Sequence, residues 1–183
     1  MTTLYKLTTH DNLTRKGYDN QTSWGAGVEH TASGEGPLCD VGWLHAYEHP
    51  LLAVLLNPTH ANIHDPKMWF ADGDVGKRDG LFKVGCTRLR TVEEIPLPEI
   101  DIETRVEIAI WLASEVYDDP AWVAWARGWL SGKDRSIADA AADAAWRAAA
   151  ADSARRAADA AADDLDLVGI VEAVVAEHMG LCN

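Results

Sequence analysis

Cysteine is scarce in this sequence, and long apolar runs are missing from it. Its three cysteines, Cys39, Cys86 and Cys182, are widely scattered and form no CxxC pair, so a disulfide framework is not expected. No run of about 18 apolar residues occurs, which argues against a transmembrane helix. The opening MTTLYKLTTHDNL also lacks the apolar stretch of a signal peptide. Together these absences predict a cytoplasmic protein with reduced thiols.

Basic residues are outnumbered by acidic ones. Sixteen Lys and Arg face 29 Asp and Glu, for a formal net charge of −13. Binding to a nucleic-acid backbone needs clustered Lys and Arg, so it is not expected. Residues 1–100 carry 13 acidic and 9 basic side chains, and residues 101–183 carry 16 and 7. This bias favours a protein partner with a basic surface, although an acidic surplus also serves solubility alone.

The chain changes character near residue 100. The first hundred residues are turn-rich and hold six of the seven histidines, whereas the remainder is almost entirely helical in pattern. We expect an α+β domain over 1–100, a helical hairpin over 101–133, and an Ala-rich helix with a last amphipathic helix over 134–183. The predicted fold class is α+β, with a small mixed or antiparallel sheet and one short helix in the amino-terminal half.

Runs of β-forming residues predict four strands in the first domain: Thr3–Thr8, Lys67–Ala71, Leu81–Cys86 and Thr91–Ile95. Asp72-Gly73-Asp74 predicts a turn between two of them, and residues 10–37 predict a loop. Pro50 suits the first turn of a short buried helix, and Asn57-Pro58 predicts its end.

Caps and apolar stripes predict two helices after residue 100. Asp101 caps the first, and Asp118-Asp119-Pro120 separates it from the second. The apolar stripes are Val106, Ile110, Ala113 and Tyr117 on the first helix, and Trp122, Trp125 and Trp129 on the second. Gly132 provides the left-handed position that ends the second helix. The tryptophan stripe indicates core or a helix–helix interface.

Alanine dominates the segment that follows. Sixteen of residues 137–163 are Ala, which predicts a long helix of high intrinsic propensity after a capping-box spacing at Ser136. Its small side chains allow close approach of another helix, so the segment either lies across the body or pairs with a second copy in a homo-oligomer. A last helix is predicted at about Leu165–Met179.

Two HxxxH spacings are compatible with a metal site but do not by themselves predict one. The pairs are His45 with His49 and His60 with His64, and on a helix each pair can share zinc. Pro50 and Pro66 disfavour helical geometry nearby, so no metal and no cofactor are predicted. GxSxG is absent, and catalytic residues remain unidentified.

An aromatic–histidine cluster is the best candidate site. Flat apolar rings with polar tips are typical of pockets for planar or sugar-bearing ligands. The ligand-binding candidates are Trp24, Trp43, His45, Tyr47, Glu48 and His49. The alternative is a small aromatic-rich core between the two halves.

Several segments resemble an uncharacterised family of phage and prophage proteins. They are Leu38-Cys39 with Trp43–Tyr47, the run His49–Pro58, Lys83–Cys86, and Glu94–Pro98. The Ala-rich segment is similar to the variable tail of that family. The resemblance implies a phage-encoded accessory protein and assigns no residue roles.

The order of elements is also similar to that of small ADP-ribosyltransferase-like domains. The similarity rests on a strand near Tyr5-Lys6, a short helix after His45, and strands ending at Glu93-Glu94. Those enzymes place Arg or His on the first strand to hold NAD. Tyr5 and Lys6 depart from that pattern, which argues against NAD-dependent chemistry.

Three functional hypotheses follow. The first is a non-catalytic phage accessory protein whose acidic helical half binds a host or phage macromolecule, for example to blunt a defence system. The second is a small enzyme or ligand-binding domain for a nucleotide-like molecule, with His45 as a polar contact and Glu48 or Glu94 as acid or base. The third is a phage structural or assembly component that self-associates through the Ala-rich helix.

Overall fold

The computed structural model describes residues 2–79, 83–114, 119–133 and 167–178. The chain divides into two compact units, Met1–Glu99 and Ile100–Asn183. The first holds an antiparallel sheet and one helix, and the described part of the second is helical, so the predicted α+β class is confirmed. The Ala-rich segment 137–163 lies outside the described residues, and so does the predicted cap at Ser136.

The elements of the first unit are β1 (Thr2–Thr8), β2 (Leu13–Thr14), β3 (Thr22–Ser23), β4 (Glu29–Thr31), β5 (Leu44–Ala46), α1 (Pro50–His60), β6 (Lys67–Asp79) and β7 (Lys83–Ile95). Those of the second are α2 (Ile102–Ser114), α3 (Pro120–Leu130) and α4 (Leu167–His178). No helix in the described part of the chain is long and apolar enough to cross a membrane.

The main sheet of the first unit closes on itself. Its order is β1-β6-β7, and β4 and β5 both pair with β7. Tyr47, directly after β5, exchanges two backbone hydrogen bonds with Tyr5 in β1, at 2.8 and 2.9 Å. The path β1–β6–β7–β5–β1 is therefore a closed ring, which removes an open edge at the centre of β1.

The ring encloses a small core. Side chains alternate between the faces of a strand, so Leu4, Lys6 and Thr8 share one face of β1, and all three are buried. The apolar members of this core are Leu4, Trp24, Ala46, Ala71, Val84, Cys86 and Leu89. Lys6 is thus a charged residue at an interior position.

The predicted turn at Asp72-Gly73-Asp74 is wrong, because these residues lie inside β6. Arg88 on the neighbouring strand donates to Asp72 Oδ1 and to Asp74 Oδ2, each at 3.0 Å. A Cβ on Gly73 would lie 2.7 Å from the Arg88 carbonyl oxygen, so glycine permits close strand approach there. Pairing across the sheet overrides the local turn signal.

The strands predicted separately at Leu81–Cys86 and Thr91–Ile95 belong to a single strand, β7, which begins at Lys83. Register shifts beside Phe70, Asp74 and Val75 mark irregularities in the β6–β7 ladder. Such bulges bend a hairpin. Bending accommodates the pairing of β7 with β5 near one end and with β4 further along. The loop predicted over 10–37 contains the short strands β2, β3 and β4.

Helix α1 begins at Pro50, as predicted, but it does not end at Asn57-Pro58. It continues to His60 with Pro58 inside. The Asn57 side chain donates to the Ile63 carbonyl oxygen at 2.9 Å and accepts from its N–H at 3.0 Å. These bonds tie the last turn to the chain beyond it and offset the hydrogen bond that Pro58 cannot make.

In the second unit, the predicted caps are present. Asp101 Oδ1 accepts from the Thr104 N–H at 2.7 Å, and Gly132 takes the left-handed φ of 72° after α3. The buried members of one cluster are Val106, Ile110, Trp122, Ala126 and Trp129, with Trp125 packed against them, so the tryptophan stripe is core. The Ala113 side chain and Tyr117 lie outside what the structure describes.

Removal of the α3 cap tests this account. Asp119 Oδ1 accepts from the N–H groups of Ala121 and Trp122, both at 3.0 Å. We expect Asp119→Ala to lower the free energy of unfolding by about 1 kcal/mol, because those donors lose their partner. Chemical denaturation measures the change, and Asp119→Asn is the control because it retains a capping oxygen. Equal losses in both variants would contradict a capping role.

Candidate functional site

The rings of the aromatic–histidine cluster are interior side chains of the first unit. Trp24 is 4% exposed, and Trp43 and Tyr47 are each 6% exposed. A ring that stacks on a ligand needs an open face, and these faces are covered by the protein itself. Trp24, Trp43 and Tyr47 are therefore core residues of the first unit.

Trp24 packs in the centre of the closed ring. Its Nε1–H donates to Thr14 Oγ1 at 2.9 Å, and its ring meets His30 edge-on with centroids 4.8 Å apart. The Lys6 ammonium lies 4.9 Å from the Trp24 ring centroid, which is cation–π geometry.

Trp43 lies against glycines of the β6–β7 hairpin. A Cβ on Gly76 would come within 2.7 Å of its ring, and one on Gly85 within 3.0 Å. Its Nε1–H donates to the Gly36 carbonyl oxygen at 3.1 Å. The missing side chains of Gly76 and Gly85 thus make a slot that the indole fills.

Tyr47, Glu48 and His49 lie where β5 leads into α1. The Tyr47 ring stacks on His60 with centroids 6.0 Å apart, and burial raises the pKa of Tyr47 while lowering that of His60 to about 4. Glu48 forms an ion pair with Arg78 at 2.9 Å. His49 occupies the N-cap position of α1 in extended backbone.

His45 is neutral and internally bonded. Burial, followed by the nearby charges of Lys6, Lys83 and Arg15, lowers its pKa to about 4, against the opposing effect of a hydrogen bond to Leu38. Its Nε2 lies in hydrogen-bond contact with the Leu38 carbonyl oxygen. A carbonyl only accepts, so Nε2 carries the proton. His45 therefore holds the 38–40 loop in place through this hydrogen bond.

Four basic side chains converge on this loop and its neighbour in β5, and we call them the basic cluster: Lys6, Arg15, His45 and Lys83. Arg15 Nη2 donates to the Asp40 carbonyl oxygen at 3.3 Å. Lys83 Nζ lies 3.1 Å from Cys39 Sγ, and Lys6 Nζ donates to the His45 carbonyl oxygen at 2.6 Å. The partners of the cluster are thus carbonyls and a thiol.

Among the residues that the structure describes, no carboxylate forms an ion pair with Lys6, Arg15 or Lys83. Four of the six other Lys and Arg side chains of the same unit do have such partners: Lys16 with Asp11, Lys67 with Glu94, Arg78 with Glu48, and Arg88 with Glu29, Asp72 and Asp74. Lys6, Arg15 and Lys83 therefore bring positive charge together within an acidic chain, while the fourth member of the basic cluster, His45, is neutral.

Lys6 is the most buried cation of the cluster, at 7% exposed. Burial, and secondarily the charge of Arg15, lowers its pKa to about 8, with Cys86 acting in the opposite sense. Near neutral pH a fraction of this amine is therefore unprotonated, unlike an ordinary lysine.

The HxxxH pairs do not form helical metal sites. His45 lies on β5 and His49 at a helix cap, while His60 ends α1 and His64 lies beyond it. Over the described ranges, no group of three or more His, Cys, Asp or Glu is placed to hold a metal ion.

Glu94 lies at a different part of the unit, paired with Lys67 at 3.2 Å. The pair borders an open cavity of about 330 Å³, lined by Pro66, Lys67, Met68, Glu94, Ile95, Pro96 and Leu97. None of the six ligand-binding candidates lines this cavity.

Lys6, Arg15 and Lys83 are not among the ligand-binding candidates that the sequence indicates. Only Lys6 carries a usable signal, because the alternation of Leu4, Lys6 and Thr8 places it on the interior face of β1. The Cys39–Lys83 contact spans 44 residues, and no local pattern encodes it.

Comparison with known proteins gave no match: no family model fits the chain, and no curated protein or solved structure is similar to it.

Proposed function

We propose that the chain is a non-catalytic phage accessory protein that acts in the host cytoplasm by binding a macromolecule with a basic surface. The observation that carries the proposal is the burial of the candidate stacking rings, each at most 6% exposed. With Trp24, Trp43 and Tyr47 occupied by the protein's own core, binding falls to its outer surface.

Charge indicates the kind of partner. Residues 101–183 hold 16 of the 29 acidic side chains and only 7 of the 16 basic ones. Complementary charge steers partners together and sets specificity, so a basic protein surface fits this half of the chain best. Interference with a host defence protein is one role of this kind.

Matched charge neutralisation tests the proposal. The first set is Glu103→Gln, Glu107→Gln and Glu172→Gln in the second unit, and the control set is Asp19→Asn, Glu35→Gln and Glu93→Gln in the first. The 183-residue chain is used to capture partners from host lysate. The affinity of the chain for each captured partner is then measured at several salt concentrations. Three surface ion pairs at about 0.5 kcal/mol each amount to about tenfold in affinity.

We expect the first set to weaken binding about tenfold at low salt and the control set to leave it unchanged. The wild-type affinity should fall as salt rises, because exposed charge pairs are screened. Equal affinities for both sets, or an affinity indifferent to salt, would rule out binding through the acidic helical half.

A second candidate function is the binding of a nucleotide-like molecule, and the basic cluster favours it. Cations that no carboxylate of the described residues pairs with are chemically suited to the phosphate of such a molecule. A ligand at 100 times its dissociation constant stabilises a protein by about 2.7 kcal/mol. Thermal unfolding in the presence of each member of a nucleotide panel therefore tests this candidate function. Stabilisation that disappears in Arg15→Met supports this candidate over the first.

A further inference from the structure

We propose that the basic cluster binds a phosphate group at the 38–40 loop, with Arg15 and Lys83 as the contacts to its oxygens and Lys6 as a supporting charge in the interior. The inference rests on the second candidate function, whose site it shares, and it narrows the ligand. Recognition is by the phosphate alone and not by a stacked base. The ligand is a tetrahedral dianion, either free inorganic phosphate or the terminal phosphate of a small organic molecule.

Two cations of the cluster are buried without a counter-ion. Lys6 is 7% and Lys83 is 8% exposed, and no carboxylate of the described residues forms an ion pair with either. Even Asp79, which lies opposite Lys83 in the β6–β7 register, makes no such pair. Lys77 and Arg90 also lack a carboxylate partner, but both are exposed to water. A buried charge without a counter-ion costs free energy, and a bound anion offsets that cost.

The three cations act on one small region, although they come from β1, the β2–β3 connection and β7. Besides burial, the charges of Lys6, Lys83 and Arg15 all lower the pKa of His45. After burial, the charge of Arg15 is also the next cause that lowers the pKa of Lys6. These groups therefore repel one another, and a dianion placed among them relieves that repulsion.

The charged ends at the loop retain unused donors. Arg15 Nη2 donates to the Asp40 carbonyl oxygen at 3.3 Å, and Lys83 Nζ lies 3.1 Å from Cys39 Sγ, a weak acceptor. A guanidinium has five N–H donors and an ammonium three, so most of them are available. Cys39 is exposed, so a ligand from solvent can approach the loop. Phosphate oxygens suit these donors, because such charge-assisted hydrogen bonds are short and strong.

The aromatic and imidazole rings near the cluster are committed to the protein itself. Trp24 and Trp43 are buried, so neither offers a face to a nucleotide base. Neutral His45 has one ring N–H, and that group donates to the Leu38 carbonyl oxygen. The available recognition elements are therefore cationic donors, which select for the phosphate.

Titration calorimetry with inorganic phosphate tests the site in the 183-residue chain at constant ionic strength. We expect saturable binding that is weakened about tenfold in Arg15→Met and in Lys83→Met, since each variant loses a charge-assisted contact. Lys16→Met is the matched control. It removes the same charge from the residue next to Arg15, but Lys16 pairs with Asp11, so the affinity should change by no more than about twofold.

A surface variant and a wild-type titration cover the case in which Lys83→Met does not fold. The Asp40 carboxylate is exposed and accepts from the Val41 N–H at 2.7 Å, a bond that the amide oxygen of Asp40→Asn can keep. Loss of this negative charge should strengthen phosphate binding about threefold at low salt. In NMR spectra of the wild type, phosphate should shift the amide signals of residues 39–41 and leave that of Arg90 unchanged.

Further ligands identify the source of the phosphate and separate this inference from the nucleotide candidate. Binding of glycerol phosphate as tight as that of inorganic phosphate supports a site for organic phosphates, and failure of glycerol phosphate to bind supports a site for the free ion. A nucleoside monophosphate that binds no more tightly than inorganic phosphate would end the nucleotide candidate and support the phosphate site.

Two results would overturn the proposal. One is the absence of saturable phosphate binding, even if a nucleoside binds, because recognition would then not depend on the phosphate. The other is a loss of affinity in Lys16→Met as large as that in Arg15→Met, which would mean that phosphate only screens the surface charge of the chain.

Discussion

Replacement of Trp43 by alanine is expected to lower the free energy of unfolding by about 3–5 kcal/mol, a large share of the stability of a domain this size. The indole fills the slot over Gly76 and Gly85 and donates to the Gly36 carbonyl. Its removal leaves a cavity and takes away one of two donors to that carbonyl, the other being Lys77 Nζ at 3.2 Å. Urea denaturation followed by circular dichroism measures the loss.

Two controls separate core packing from a ligand role. Trp43→Phe keeps most of the apolar volume, so it should cost clearly less than the alanine variant. Trp111→Ala removes an indole that is 44% exposed in α2, and it should change stability little. If Trp43→Ala were as stable as wild type, the ring would not be a core residue, and a ligand-stacking role would regain support.

A reciprocal change probes the same slot from its other side. A Cβ on Gly76 meets the Trp43 ring at 2.7 Å, so Gly76→Ala overpacks the slot. Gly128 has nothing within 4 Å of its Cβ position, so Gly128→Ala in α3 is the matched substitution without a clash. We expect the first to destabilise the protein and the second to stabilise it, since alanine is the better helix former.

Local patterns predicted the elements whose stability is local. The Pro50 start of α1, the Asp101 cap and the Gly132 stop depend on contacts within a few residues, and the structure has all three. The alternation in β1 likewise reflects the two faces of one strand.

The same patterns failed where distant residues decide the conformation. Arg88 holds Asp72 and Asp74 in a strand although their local sequence is that of a turn. The basic cluster is assembled in the same way, since Lys6 and its acceptor at His45 are 39 residues apart. A cluster of charges that strand pairing brings together has no periodicity along the chain. The position of the basic cluster therefore could not be predicted from the sequence.

The buried Lys6 is expected to make stability depend on pH in a narrow alkaline range. Its pKa is about 8 in the folded chain, against 10.5 for an exposed lysine. As pH falls through 10.5, the unfolded chain binds this proton before the folded chain does, so stability decreases. Below about pH 8 the amine is protonated in both states. The free energy of unfolding is then about 3 kcal/mol lower than it is well above pH 10.5.

The comparison that isolates this effect uses Lys6→Met. The variant has no amine to titrate, so its free energy of unfolding minus that of wild type should be about 3 kcal/mol larger at pH 7.5 than at pH 10.5. Groups that do not interact with Lys6, such as Tyr47, titrate in both proteins and cancel in the difference. Cys86 does interact with Lys6, so both proteins carry Cys86→Ser. Denaturant titrations at five or six pH values measure it.

Lys16→Met is the matched control, because Lys16 pairs with Asp11 at the surface at 2.6 Å and its side chain is 59% exposed. Its difference from wild type should stay nearly flat over the same range. A flat profile for Lys6→Met as well would mean that Lys6 keeps its charge at little cost in the interior. A profile that is steep in dilute buffer and flattens with inorganic phosphate would instead show an anion compensating the basic cluster, and that outcome would favour nucleotide binding over the acidic-surface proposal.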